Sequence, residues 1–250
     1  MEPLARLFLD QNLAAGLTVL PDESQCHYLR HVLRASEGQS ILVFNGRQGE
    51  WEATLEPAGK KNLTATVTRQ TRLQITDTEL WLAFAPIKGG RVEFLVEKAT
   101  ELGVTRLVPI LTRRTVVRSV NMARLMANAV EAAEQSERLS VPAVADAVSL
   151  ERFLPTIPAG HRMLFCDESG GGIPISKALP APGPWIVCIG PEGGFALEER
   201  EMLRACPGSL AVGLGPRVLR ADTAALAAIT CVQALSGDWD RLPRYKDPES

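Results

Sequence analysis

In the stretch "IVCIGPEGGF", residues 186–195, an apolar run stops at Gly190-Pro191-Glu192-Gly193-Gly194 and then resumes as the helical pattern "FALEERE". A buried strand, a glycine bend and a helix form the repeating unit of an open parallel sheet, whose ligands sit beyond the carboxyl ends of the strands. Glycine lets backbone N–H groups approach a bound group closely, and the N–H groups that open a helix receive an anion or a polar ligand atom. A tight strand-to-helix turn is the competing reading of a lone Pro-Glu-Gly-Gly.

A second stretch of the same kind shifts the balance. "VGLGPRVLRADTAALAAITCVQALSG", residues 212–237, ends an apolar strand in Gly213-Leu214-Gly215-Pro216, passes Arg217 and Arg220, and enters a helix for which Asp222 and Thr223 are suitable N-caps. If the two strands are neighbours, their bends form one pocket whose amides and carbonyls can read a planar heterocycle. The known nucleotide fingerprints do not fit. "GLGPRV" has Val218 where a dinucleotide-binding glycine belongs, and Gly59-Lys60 is followed by Lys61 rather than Ser or Thr.

Outward from these bends, "ELWLAFA", "RLVPIL" and "RMLFC" are further candidate buried strands, separated by helical patterns. Val92, Leu95, Val96, Ala99 and Leu102 keep the 3.6-residue period up to a stop at Gly103, and Met122, Leu125, Met126, Ala129, Val130 and Ala133 form a second stripe. This alternation predicts an α/β fold with a mostly parallel sheet over residues 73–250. Residues 1–72 read differently. "SILVF", the turn Asn45-Gly46, "EWEATLE" and "LTATVTR" predict a small β-barrel module, interrupted by a helix in "DESQCHYLRHVLR" with Tyr28, Leu29, Val32 and Leu33 on one face.

The 250 residues carry 27 basic and 29 acidic side chains, so any polyanion site must be local. One such patch exists: no acidic residue occurs between Glu101 and Glu131, where Arg106, Arg113, Arg114, Arg118 and Arg124 stand. Arginine at this density suits phosphate contacts, and a solvated loop balancing acidic helices is the alternative. Arg30, Arg34, Lys60 and Lys61 extend the basic character to the first module. Five cysteines without Cys-x-x-Cys spacing read as reduced core residues. His27 and His31 lack companion ligands, so no metal is expected. His161 is expected at the surface, and Gly170-Gly171-Gly172 as a flexible loop. No run approaches the length of a membrane span, and the expectation is a soluble cytoplasmic protein.

Taken in order, "HYLRHVLR", "GQSILVFNG", "KATELGV", "EAAEQSERLSVP", "IGPEGGF" and "LGPRVLRADTA" resemble the ribosomal RNA small-subunit methyltransferase E family of the SPOUT superfamily. The resemblance implies a PUA-like β-barrel over 1–72 and a trefoil-knotted α/β domain over 73–250 that binds S-adenosylmethionine and forms a homodimer. It implies methyl transfer to N3 of one uridine, position 1498 of the 16S RNA, on the RNA or the assembled small subunit. Leu164, Gly190, Pro191, Glu192, Gly193, Gly194, Leu214, Gly215, Leu219, Arg220 and Thr223 are then the cofactor residues. Arg220, Arg217 and Glu192 are the catalytic candidates. Arg30, Arg34, Lys88, Arg113, Arg114 and Arg118 are the RNA contacts. Asp222 stands where the family usually has glutamate, and Arg113 where an acidic residue is common. A non-catalytic RNA-binding or assembly factor on the same fold is the rival reading.

Overall fold

The computed structural model describes residues 3–59, 62–88, 90–179 and 182–241; Lys60 and Lys61 lie outside them. The chain divides into two compact units. One runs to Thr76 and takes back Val130–Val141; the other holds Asp77–Ala129 and the residues from Pro142 onward.

In the first unit, β1 (Arg6–Phe8), β2 (Thr18–Val19), β3 (Ser40–Phe44), β4 (Glu50–Ala58) and β5 (Asn62–Arg72) form one sheet in the order β1-β3-β4-β5-β2. The expected period of two holds: Ile41 and Val43, Ala53 and Leu55, and Leu63, Ala65 and Val67 all point into one core. Gly49 has φ +78°, and a Cβ there would overlap the carbonyl oxygen of Arg72, so the entry to β4 requires glycine. The helix begins as α1 (Glu23–His27), capped by Asp22, whose carboxylate accepts from Gln25 N at 2.8 Å. It then widens into a π-helical turn over Tyr28–Val32, closed by Leu33 N donating to Tyr28 O. The extra residue in that turn breaks the expected stripe. Leu29 is buried, whereas Tyr28 and Val32 face solvent.

A buried carboxylate organises this unit. Glu50 is fully buried and accepts from Arg6 Nε at 2.7 Å and from Thr71 Oγ1 at 2.8 Å. Arg6 lies over the Phe44 ring and donates onward to the carbonyls of Ala133 and Arg138. Arg72 donates to Glu137 O, and Phe8 N donates to the Glu134 carboxylate. Residues 130–141 are therefore held by charge-assisted bonds from Arg6 and Arg72 and by the Glu134 carboxylate. Burial pushes the Glu134 carboxyl above its ordinary range.

In the second unit, β6 (Leu80–Phe84), α2 (Arg91–Glu101), β7 (Arg106–Leu111), α3 (Met122–Gln135), β8 (Ala143–Val144), β9 (Val148–Ser149), α4 (Leu150–Phe153), β10 (Arg162–Cys166), β11 (Ile173–Pro174), β12 (Trp185–Ile189), α5 (Leu197–Ala205), β13 (Ser209–Gly213) and α6 (Ala221–Ser236) follow in sequence. α3 starts here and ends in the first unit. The strands pair in parallel in the order β11-β13-β10-β12-β6-β7-β8, with β9 also on β7. β6 and β12 are buried at every position because helices cover both faces. On one face Trp81, Ile110, Phe165, Ile186, Phe195 and Leu203 share a core. α6 packs on β12 and on α2.

α2 ends as its sequence dictates. Val104 N reaches Ala99 O and Gly103 N reaches Thr100 O, a Schellman closure that Gly103 permits at φ +87°. Two expectations need correction. Met126 lies on the exposed side of α3, where Leu125, Ala129, Ala132 and Ala133 form the buried stripe. His161 is tucked against Trp81 with Nε2 3.1 Å from Glu79, its side chain only 7% exposed.

Glu50→Ala leaves Arg6 without its carboxylate in a dry site, and the expected loss is about 3–5 kcal/mol. Glu52→Ala removes only the half-buried partner of the exposed Arg69 and is expected to cost about 0–1 kcal/mol. Urea unfolding of the full chain measures both, and similar losses for the two variants would contradict the role given to Glu50.

Candidate active site

The parallel sheet releases the loops after β6, β7, β10, β12 and β13 from one edge. The two glycine bends follow β12 and β13, which are not neighbours: β10 lies between them. With strands about 4.8 Å apart, the bends leave the edge about 10 Å from each other, and the end of β10 fills the middle.

The bend after β12 is built to be close-packed. Gly194 has φ +67°, its N–H closes a turn on Pro191 O at 2.8 Å, and a Cβ there would overlap the Glu168 carboxylate. At Gly190 a Cβ would sit 3.1 Å from the Phe195 ring. Gly193 is less constrained, since a Cβ would meet Arg114 at an ordinary 3.6 Å. Pro191 is buried, and Glu192 and Gly193 are exposed. α5 then opens without a capping side chain at Ala196. Glu199, 1% exposed, reaches back instead to Ala196 N at 2.8 Å and also accepts from Arg113 N at 2.7 Å. One buried carboxylate thus ties the loop after β7 to the start of α5.

That loop is the turn Thr112–Thr115, closed by Thr115 N on Thr112 O and by the two hydroxyls at 2.9 Å. It carries Arg113 and Arg114 to the glycine bend. Arg114 Nη1 donates to Gly193 O at 2.7 Å, and Arg113 pairs with Glu198 at 2.9 Å. Farther along, Arg124 pairs with Glu93 and Arg106 stacks on Trp81, whereas Arg118 is exposed. The acid-free run is therefore largely committed to local partners.

The bend after β13 is open. Nothing lies within 4 Å of a Cβ placed at Gly215, which has φ +96°. Arg217, Val218, Arg220 and Thr223 are exposed; Leu214 and Leu219 are half-buried. Arg220 itself occupies the N-cap of α6 in extended conformation, so neither Asp222 nor Thr223 caps the helix. Asp222 lies in the first turn instead, its carboxylate 3.6 Å from Arg91 at the start of α2. The carboxylate thus complements the N-terminus of α6 and is engaged by Arg91 rather than by Arg217 or Arg220.

Between the bends, β10 ends at Cys166 and the chain continues into Asp167-Glu168. Leu164 and Phe165 are fully buried. Burial pushes the Asp167 carboxyl up, but bonds from Ser169 and the charges of Arg204 and Arg200 outweigh it and hold it below its ordinary range; Arg204 Nη2 lies 2.7 Å away. Desolvation pushes the Cys166 thiol up to about 12, which keeps it protonated and unreactive. Gly171 and Gly172 are not a loose loop. Gly172 lies against the Val212 backbone, with a Cβ only 2.6 Å from Val212 C.

Among the described residues, the N–H groups of Glu192, Gly193, Gly215, Arg217 and Val218 make no hydrogen bond. The edge therefore offers unused main-chain donors from two bends, with exposed carboxylates at Glu192 and Glu168 and exposed guanidinium groups at Arg217 and Arg220. That donor set suits a polar nucleoside with charged groups, provided the bends stay glycine-thin. Beyond β6 lies a cavity of about 240 Å³ lined by Ile87, Val92, Val117 and Leu125, with Lys88 and Asn121 supplying polar groups. In the first unit, Arg34 is exposed with φ +55° and Arg30 donates to Asn62 O. Among the described residues no His, Cys, Asp and Glu cluster could hold a metal.

A parallel sheet with two glycine bends and unused amides at its carboxyl edge defines a ligand-binding α/β domain. A family described as the RNA methyltransferase domain matches residues 75–233, and one described as the RNA methyltransferase PUA domain matches 20–68. Ribosomal RNA small subunit methyltransferase E of Rickettsia conorii is 33% identical over 95% of this chain and 98% of its own. Its counterpart from Synechocystis is 34% identical over 87% and 73%. The crystal structure of the Neisseria gonorrhoeae protein of that name, bound to S-adenosyl methionine, superposes with a TM-score of 0.86 at 30% identity, covering 94% of this chain and 99% of that one. The chain belongs to the ribosomal RNA small subunit methyltransferase E family.

Glu168, Glu199 and Arg91 were absent from the sequence-level candidates. Glu199 carried a legible signal, a glutamate three residues into a helix, whereas the other two acquire their neighbours only through the sheet order. Because Gly194 is in the left-handed region beneath Glu168, Gly194→Ala is expected to destabilise the full chain by about 1–3 kcal/mol. Gly193→Ala is expected to stay within about 1 kcal/mol, since any added strain is limited to its own backbone. Chemical denaturation of the two variants decides, and equal effects would contradict the packing described.

Proposed function

We propose that this chain transfers the methyl group of S-adenosylmethionine to N3 of one uridine in small-subunit ribosomal RNA. The observation that carries this reading is the pair of glycine bends on one sheet edge, with unused amides and with Arg217 and Arg220 exposed beside them. A separation of about 10 Å is one that an adenosine-sized ligand bridges. When bound there, the cofactor supplies a methyl group already activated on a sulfonium.

The chain's own residues must then make a weak nucleophile reactive. Uridine N3 bears a proton, and its loss places negative charge on the flanking carbonyl oxygens. Arg220, at the mouth of α6, and Arg217 are placed to stabilise that charge through hydrogen bonds. Glu192 is exposed at the bend and serves as acceptor for a cofactor hydrogen bond or for the N3 proton. Leu164 backs the site from within β10, and Gly190, Pro191, Gly193, Gly194, Leu214, Gly215, Leu219 and Thr223 shape its walls. The target base leaves its stack to enter, and the cavity beyond β6 gives it a recess, with Lys88 on its lining.

Arg30 and Arg34 on the first unit and Lys88, Arg113, Arg114 and Arg118 on the second are the proposed phosphate contacts. Arg118 and Lys88 contribute most, because Arg113 and Arg114 also hold the loop to the bend. The return of α6 onto β12 is compatible with trefoil threading. Val218, 93% exposed, and Leu235 and Trp239, each about half-exposed, leave apolar surface for a homodimer. Among the described residues no helix is long and apolar enough to cross a membrane; the proposed ribosomal substrate supports a cytoplasmic site of action.

Incubation of the purified chain with small-subunit RNA or subunits from cells lacking it tests the proposal. One methyl group is expected at N3 of one uridine. Arg220→Ala is expected to lower kcat about 100-fold while the cofactor Kd stays within about threefold. A chain that binds RNA but neither retains the cofactor nor modifies a uridine would favour the rival, a non-catalytic assembly factor.

A further inference from the structure

We infer that Glu168 distinguishes the methyl donor from its spent product by charge, an inference that rests on the cofactor site proposed above. The parallel order places the end of β10 between the two glycine bends, so Glu168 occupies the middle of the edge. Its carboxylate lies directly on Gly194, at a position that a side chain there would fill. A glycine in the left-handed conformation is thus what admits the charge to the bend.

Four other acidic groups around this edge are already engaged. Asp167 is buried on Arg204, Asp222 faces Arg91, Glu198 pairs with Arg113, and Glu199 is sealed under the α5 start. Glu168 is exposed, and among the described residues it forms no ion pair or hydrogen bond. Glu192 is also exposed, but it belongs to the Pro191–Gly194 turn of one bend, whereas Glu168 follows the strand between the two.

A carboxylate held between the walls of a cofactor site interacts differently with the two forms of the cofactor. S-adenosylmethionine bears a sulfonium cation that S-adenosylhomocysteine lacks; the ammonium and carboxylate of the amino-acid end are common to both. A carboxylate near sulfur stabilises the donor and is left without a cationic partner once the methyl group has gone, which favours product departure. A carboxylate near the ammonium or the ribose would treat both forms alike.

Calorimetry with three probes separates these cases: S-adenosylmethionine, S-adenosylhomocysteine, and sinefungin, whose amine restores a positive charge beside the position of the sulfur. In the full-length protein, Glu168→Gln is expected to raise Kd for the two cationic probes at least about threefold, in the range of a partly exposed ion pair, and to leave S-adenosylhomocysteine within about twofold. Glu168→Asp, which keeps the charge, is expected to retain most of the discrimination, and unchanged melting of the unliganded variants shows that they fold. Equal weakening of all three probes, or no weakening of any, overturns the inference and leaves the cofactor site standing. If the parent protein binds none of the three, the site proposal falls and this inference with it.

Discussion

The carboxyl ends of β12, β10 and β13 must leave the sheet side by side, and most of the chemistry read from this chain depends on that single constraint. It is met because the central strands are apolar at nearly every position, so they can be buried on both faces and aligned in parallel. A polar residue within Trp185–Ile189 would leave an unsatisfied group between two helical layers. The bends can then be thin and rich in glycine, because the strands behind them supply the rigidity.

Charge is partitioned in the same way. In the first unit a buried glutamate gathers Arg6 and Arg72, and those guanidinium groups bind carbonyls of residues 130–141, a segment far away in sequence. In the second unit Glu199, Asp167 and Asp222 each fix a loop or helix start. The charged groups that remain exposed at the edge, Glu168, Glu192, Arg217 and Arg220, are then available to act on a ligand. The carboxylates that fix the fold are therefore distinct from those left for a ligand, whereas Arg113 and Arg114 are drawn into both roles.

Periodicity alone made much of the fold legible. The period of two in residues 40–72 and the five apolar runs from Leu80 to Gly213 correspond to observed strands, and Gly103 stops its helix as its position suggested. Local irregularity was not legible: the π-helical turn after His27 turns Tyr28 and Val32 outward, and no composition rule announces the extra residue. The glycine bends stood out because glycine after a buried strand has few other uses. What escaped were pairings across the sheet, such as Glu168 on Gly194 and Asp222 on Arg91, since strand order and not sequence spacing brings them together. Arg113 and Arg114 show the converse: a basic run visible in sequence is in part the clamp that holds a bend.

Amide hydrogen exchange of the full-length chain, with and without S-adenosylmethionine, tests the shared crevice most directly. Added protection is expected in three separate segments at once, 166–172, 190–196 and 213–223, with little change in the first unit. Protection confined to one bend, or centred elsewhere while both bends exchange as before, would contradict it.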